Sequence, residues 1–148
     1  MIPYSYDSYY KAQWTAFSST GQASMLYRDS LYGSGATVVT LSGGTTWVTV
    51  GSPGFSSGAT LDGRIAIGPN GTLYVAYIDA ANGNTLAVKT FNGTSWVDMG
   101  SSYFSTMTPN FWLNLVVSPG GVPYVAFQDT VTGYLGVYRY SGGSWQAV

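Results

Sequence analysis

A chain of 148 residues that is 45% hydrophobic and 7% charged is one domain long enough to bury a core, and its net charge of −1 excludes the composition of a disordered segment. Its five basic residues, Lys11, Arg28, Arg64, Lys89 and Arg139, are scattered along the chain and could not neutralise a row of phosphates, which argues against a nucleic-acid partner. His, Cys and Glu are absent, which removes thiol nucleophiles, the commonest metal ligands and the usual neutral-pH proton shuttle, so no catalytic residue, metal or cofactor is implied.

Three units follow one another. The stretches GQASMLYRDS (21–30), GTLYVAYIDA (71–80) and GVPYVAFQDT (121–130) align at a shift of 50, sharing Gly21/Gly71/Gly121 and Asp29/Asp79/Asp129. An aromatic stands two places before each Asp: Tyr27, Tyr77 and Phe127. The second half of each unit aligns at a shift of 49, pairing Val39/Val88/Val137 and Trp47/Trp96/Trp145, and the lost residue is expected in the loop after the Asp.

In chain order, each unit reads as four strands. The first covers 13–18, 64–68 and 113–118 and is followed by a Gly- and Pro-rich turn. The second covers 22–28, 72–78 and 122–128, the third 36–42, 85–91 and 134–140, and the fourth opens at the Trp. Asn92-Gly93 between two apolar runs predicts a hairpin with a type I′ turn. The sequons at Asn70 and Asn92 read as Asn-Gly turns rather than glycosylation sites. No sustained helical period is present, and no apolar run is long enough to span a membrane as a helix.

A period near 50 with four strands per unit is the signature of propeller blades. LYVAYI and PYVAF are apolar on both alternating faces, so both faces of that sheet need cover, which stacked blades provide. The phrases PYVAFQD…GYLGVYRYSGGSW and LYVAYID…NTLAVKTFNGTSWVDMG resemble the blade repeats of bacterial secreted and surface β-propeller proteins, some of them lectin-like. The resemblance implies an all-β propeller domain with blades at 1–51, 52–100 and 101–148. Three blades are too few for a ring, so a homodimer closing six blades is expected. A β-trefoil or β-prism, each also built from three four-stranded units, is the alternative.

The candidate residues fall on the face where the loops after the second strands meet the linkers between units. There Asp29, Asp79 and Asp129 could form a ring of carboxylates, or else cap their own turns, and repetition in every unit favours the caps. Arg28, Tyr32, Asn82, Tyr103, Phe111, Trp112 and Tyr134 join them as an aromatic and polar surface suited to sugars. Trp47, Trp96 and Trp145 are expected to pack between blades. A glycosidase needs two carboxylates about 5 to 9 Å apart, and Asp7, Asp62 and Asp98 show no such partner, so an enzyme is not expected. The expected function is non-enzymatic, lectin-like carbohydrate binding through several shallow sites. The alternative is an assembly protein such as a virion decoration or surface-array subunit. The expected partners are a second copy, glycans, or other surface or virion proteins. The expected location is extracellular, on a virion or at a cell surface, although the opening MIPYSYDSYYK does not read as a signal peptide.

Overall fold

The computed structural model describes residues 13–101, 104–105, 109 and 112–148. Among them, twelve strands form three separate four-stranded antiparallel sheets, each a meander with its strands hydrogen-bonded in chain order. Blade 1 holds β1 (Gln13–Phe17), β2 (Ala23–Asp29), β3 (Gly35–Ser42) and β4 (Thr46–Thr49). Blade 2 holds β5 (Thr60–Ile67), β6 (Leu73–Asp79), β7 (Thr85–Phe91) and β8 (Trp96–Asp98). Blade 3 holds β9 (Asn114–Val117), β10 (Pro123–Gln128), β11 (Leu135–Ser141) and β12 (Ser144–Ala147). No helix among the described residues is long and apolar enough to cross a membrane.

The blades stack face to face, as the two-faced apolar strands require. Leu26, Ala36 and Val38 of blade 1 pack against Ile65, Val75, Tyr77, Ala87 and Trp96 of blade 2. On the other side of blade 2, Ala76, Leu86 and Val88 pack against Leu115, Val125, Phe127 and Trp145 of blade 3. The middle sheet is therefore buried on both faces, which distinguishes the fold from a trefoil or prism, where all three units share one core. The first strands β1, β5 and β9 lie side by side. Strand register puts Trp14, Arg64 and Asn114 at the same station of these strands, opposite Leu26, Ala76 and Ala126.

Strand pairing corrects the repeat alignment. Leu26, Ala76 and Ala126 face Val38, Val88 and Val137, so Val38 and not Val39 is the counterpart of Val88. The loop between second and third strands keeps its length from blade 1 to blade 2, and shortens by one residue only in blade 3. The residue lost between blades 1 and 2 comes instead from the last hairpin, where Leu41 pairs Trp47 but Phe91 pairs Trp96. Adjacent Val38 and Val39 are equally good strand residues, so composition could not choose between the two registers.

The Asn92-Gly93 turn also differs from expectation. Gly93 has a positive φ of 97°, but Asn92 does not. Asn92 Oδ1 accepts the N–H groups of Thr94 at 3.0 Å and Ser95 at 2.9 Å, an Asx arrangement in a four-residue loop. The two-residue turn with both centres at positive φ is found in blade 3, at Gly142 (60°) and Gly143 (84°) between paired Ser141 and Ser144.

Candidate functional site

The second strands of blades 1 and 2 end at Asp29 and Asp79, Asp129 stands one residue past the end of β10, and all three carboxylates turn inward with exposures of 5% or less. Asp29 Oδ1 accepts Leu31 N at 3.1 Å, while Oδ2 accepts the Thr37 hydroxyl at 3.0 Å and the Tyr27 hydroxyl at 3.2 Å. Asp79 Oδ1 accepts Ala81 N at 3.1 Å, and its Oδ2 accepts Asn82 Nδ2 at 2.7 Å and the Ser57 hydroxyl. Asp129 accepts the Thr132 N–H at 3.1 Å and the Thr132 hydroxyl at 2.5 Å. In blades 1 and 2 these contacts cap single 3₁₀ turns at Ser30–Tyr32 and Ala80–Asn82. Buried carboxylates whose lone pairs meet internal donors are structural caps, the second of the two roles their repetition suggested.

The capped carboxylates hold up nearby tyrosines. Burial, then the charge of Asp29 and the hydrogen bond to it, push the Tyr27 phenol up to about 12. Burial, followed by the charges of Asp79 and Asp98, raises Tyr77 further. Both stay protonated at neutral pH.

On the same face Tyr32, Trp112 and Tyr134 are exposed at 51%, 73% and 71%. Asn82 is exposed as well, with its amide already given to Asp79 and Ser57. Arg28 is half-buried on β2. Tyr103 and Phe111 lie outside the described residues, as does Asp7. The linker from blade 1 to blade 2 does return along this face, as Phe55 N donates to Ala36 O at 2.9 Å and Thr60 N to Ser34 O at 3.0 Å. Among the described residues, Asp62 and Asp98 each meet a cation and not a second carboxylate, Arg64 at 2.7 Å and Lys89 at 2.7 Å. Asp62 also accepts Leu113 N at 3.4 Å, tying blade 2 to the entry of blade 3.

The repeated tryptophans belong to the blade interfaces. Trp96 Nε1 donates to Val50 O at 2.9 Å and its ring stacks on Phe55 at 4.5 Å. Trp145 Nε1 donates to Met99 O at 2.7 Å and stacks on Phe104 at 4.9 Å. Trp47 of blade 1 is half-buried.

A cavity of about 600 Å³ opens between blades 1 and 2 at the opposite end of the strands, where the first and last hairpins turn. Blade 1 lines it with Ser18, Ser19, Thr20, Gln22, Ser24 and Thr40, together with Val50. Blade 2 adds Ile67, Pro69, Asn70, Gly71, Leu73 and Phe91. A second depression of about 540 Å³ continues from Asn70, Leu73 and Phe91 to Thr90 and Asn92. One side thus offers mostly hydroxyls and an amide, the other mostly apolar carbon with one aromatic ring and the Asn70 amide, and no lining residue carries a charge.

At the floor of this cleft stands Ser24, 2% exposed, whose hydroxyl donates to the Thr40 hydroxyl at 3.1 Å. By register Ser24, Tyr74 and Tyr124 share one station, opposite Thr40, Thr90 and Arg139. Between blades 2 and 3 the Tyr74 ring fills the corresponding space, and a Cβ placed on Gly68 would lie 3.1 Å from Tyr74 Cε2 and 3.6 Å from Val117 Cγ1. Sequence reasoning missed the cleft, although Ser24 stands above Tyr74 and Tyr124 in the aligned repeats.

The fold matches solved propeller lectins. One is a fucose lectin from Kordia zhangzhouensis, in complex with methyl-fucoside, at 8% identity and TM-score 0.62, covering 93% of this chain and 97% of that one. Another is the Aleuria aurantia lectin in complex with Fucα1-6GlcNAc, at 15% identity and TM-score 0.65, covering 95% of this chain and 48% of that one. The fold also matches a Bifidobacterium bifidum protein that bears the name of an exo-β-1,3-galactanase, at 10% identity and TM-score 0.55, covering 93% of this chain and 56% of that one. The chain therefore spans nearly the whole Kordia lectin and about half of the other two. No protein-family model matches the chain, and no curated protein sequence matches it.

Proposed function

We propose that the chain is a non-enzymatic, lectin-like carbohydrate-binding module of the secreted or surface β-propeller kind, and that the cleft between blades 1 and 2 takes a neutral saccharide. The carrying observation is the chemistry of that cleft. Sugars present hydroxyl edges and apolar C–H faces, and here Ser18, Thr20, Gln22, Ser24 and Thr40 stand opposite Leu73, Ile67 and Phe91 without a charge. The propeller lectins among the similar structures agree with this reading. In it, two copies complete a six-bladed ring, which would pair the clefts and convert weak sites into avidity.

The loop face with Arg28, Tyr32, Asn82, Trp112 and Tyr134 is the second candidate contact surface, for glycans or for another surface protein. Its buried carboxylates at Asp29, Asp79 and Asp129 would act there only through the turns they cap.

The test is a glycan array and titration calorimetry with three proteins: wild type, Ser24→Tyr and Tyr32→Ala. Ser24→Tyr places the side chain of the other two blades into the cleft, so the fold is expected to persist while saccharide binding falls by about tenfold or more, equivalent to about 1.4 kcal/mol or more. Binding that survives Ser24→Tyr but is lost in Tyr32→Ala moves the site to the loop face. No binding to any neutral glycan rejects the lectin reading and leaves the assembly role as the alternative.

A further inference from the structure

Blade 3 has an apolar face that no described residue covers. Val116, Val137 and Leu135 are exposed at 53%, 37% and 76%. Their register counterparts tell what such a face normally does. Val38 and Val88 match Val137, Ala36 and Leu86 match Leu135, and all four are 3% exposed or less beneath the next blade. Between Val116, Ala126 and Val137 the face holds a hollow of about 240 Å³.

Blade 1 has the complementary deficit. Met25 stands at the station of Val75, and Trp47 at that of Trp96; both blade 1 residues are only half-buried, where their blade 2 counterparts are buried. Val148 is set as the missing acceptor. Its N–H donates to Val137 O at 2.9 Å, as Val50 does to Val38 and Met99 to Val88, and the carbonyls of Val50 and Met99 each take the indole N–H of the following blade.

We propose that the exposed face of blade 3 is covered by blade 1 of a second copy of this chain, with Met25 entering the hollow and Trp47 Nε1 donating to the Val148 carbonyl. The proposal rests on the two-copy ring put forward above and assigns its contacts. The occupant is identified by continuity: the same interface occurs twice within one chain, with the same indole bond each time. A longer Met25 side chain suits a hollow left by Ala126, where the first interface instead sets Leu26 against Val75. The Kordia chain is matched over 97% of its length, so a second chain of about this size has the same fold. Each contact is heterologous, but two of them related by a two-fold axis close the ring.

Light scattering at micromolar concentration tests it on the full chain. Wild type is expected at twice 15.7 kDa. Leu135→Arg with Val137→Arg is expected at the mass of one chain, with an unchanged far-ultraviolet circular dichroism spectrum, because no other blade among the described residues covers these side chains. Trp47→Ala, on the opposite blade, is expected to weaken the dimer at least tenfold, which keeps the proposal testable if the double variant fails to fold. A wild-type mass of one chain, a mass above two chains, or a dimer that survives both variants overturns it. Saccharide binding by a monomeric wild type would reject the docking alone. A dimer without saccharide binding would reject the lectin reading alone.

Discussion

The Trp96 indole N–H reaches back to the Val50 carbonyl, 46 residues earlier, at 2.9 Å. That one bond joins the outermost strand of one blade to the chain leaving the previous blade, and Phe55 and Phe91 enclose the ring around it. The aromatic at this position is therefore a fastener between sheets whose backbones form no common ladder.

Replacing Trp96 by Phe keeps most of the packing and leaves Val50 O unpaired, so a loss of about 1 to 3 kcal/mol is expected. Trp96→Ala adds the cavity and should cost about 3 to 5 kcal/mol. Urea unfolding of both variants separates the bond from the burial. A Phe variant as stable as wild type would mean that the hydrogen bond contributes nothing, and equal losses would mean that the ring's burial contributes nothing.

Asp79→Asn is expected to destabilise the chain by about 1 to 3 kcal/mol, because the Ser57, Ala81 and Asn82 donors were placed around a carboxylate. Saccharide affinity should be unchanged. A variant of wild-type stability that no longer binds glycan would return these carboxylates to the ligand site.

Stability should fall at alkaline pH. The unfolded tyrosine value is about 10, and folding raises Tyr27 to about 12 and Tyr77 higher still. A raised folded value means that the stabilisation is fully present below pH 10 and is lost as pH climbs through 10 to 12. Melting midpoints measured across that range should drop, and Tyr27→Phe should drop less steeply. A Tyr27→Phe variant that loses stability as steeply as wild type across that range would contradict the assignment.

Tyr74→Ser is the converse of closing the first cleft. It should open a second one between blades 2 and 3 and raise ligand stoichiometry from one to two per chain. The second site should be the weaker, because its blade 2 wall carries Gly68 where blade 1 has Ser18. Calorimetry reads the stoichiometry directly. The lost ring should also cost about 3 to 5 kcal/mol.

Much of the fold was legible because the repeat exposes it. Asp29, Asp79 and Asp129 mark the strand ends, the tryptophans mark the outer strands, and both readings hold within two residues. Two details failed for physical reasons. Val38 and Val39 are interchangeable by propensity, so only hydrogen bonding reveals which one faces the next blade. Asn92 could adopt a type I′ centre or accept backbone N–H groups with its side chain, and the local sequence serves both. The cleft was harder, since it is defined by what Ser24 lacks relative to Tyr74. An alignment read for shared residues passes over such an absence, while one read for side-chain volume at each station would find it.

Within a single chain, among the described residues, blade 2 alone has a neighbour against each of its faces, and Val75, Ala76, Tyr77 and Ile78 run through it with 2% exposure or less. In a chain parted from its second copy, opening fluctuations should therefore begin at the outer blades and reach β6 last. Amide protons along the chain would exchange as a gradient with its summit in the middle of the sequence. The molecule would come apart like a stack lifted from its ends, and its most durable strand is the one farthest from any edge.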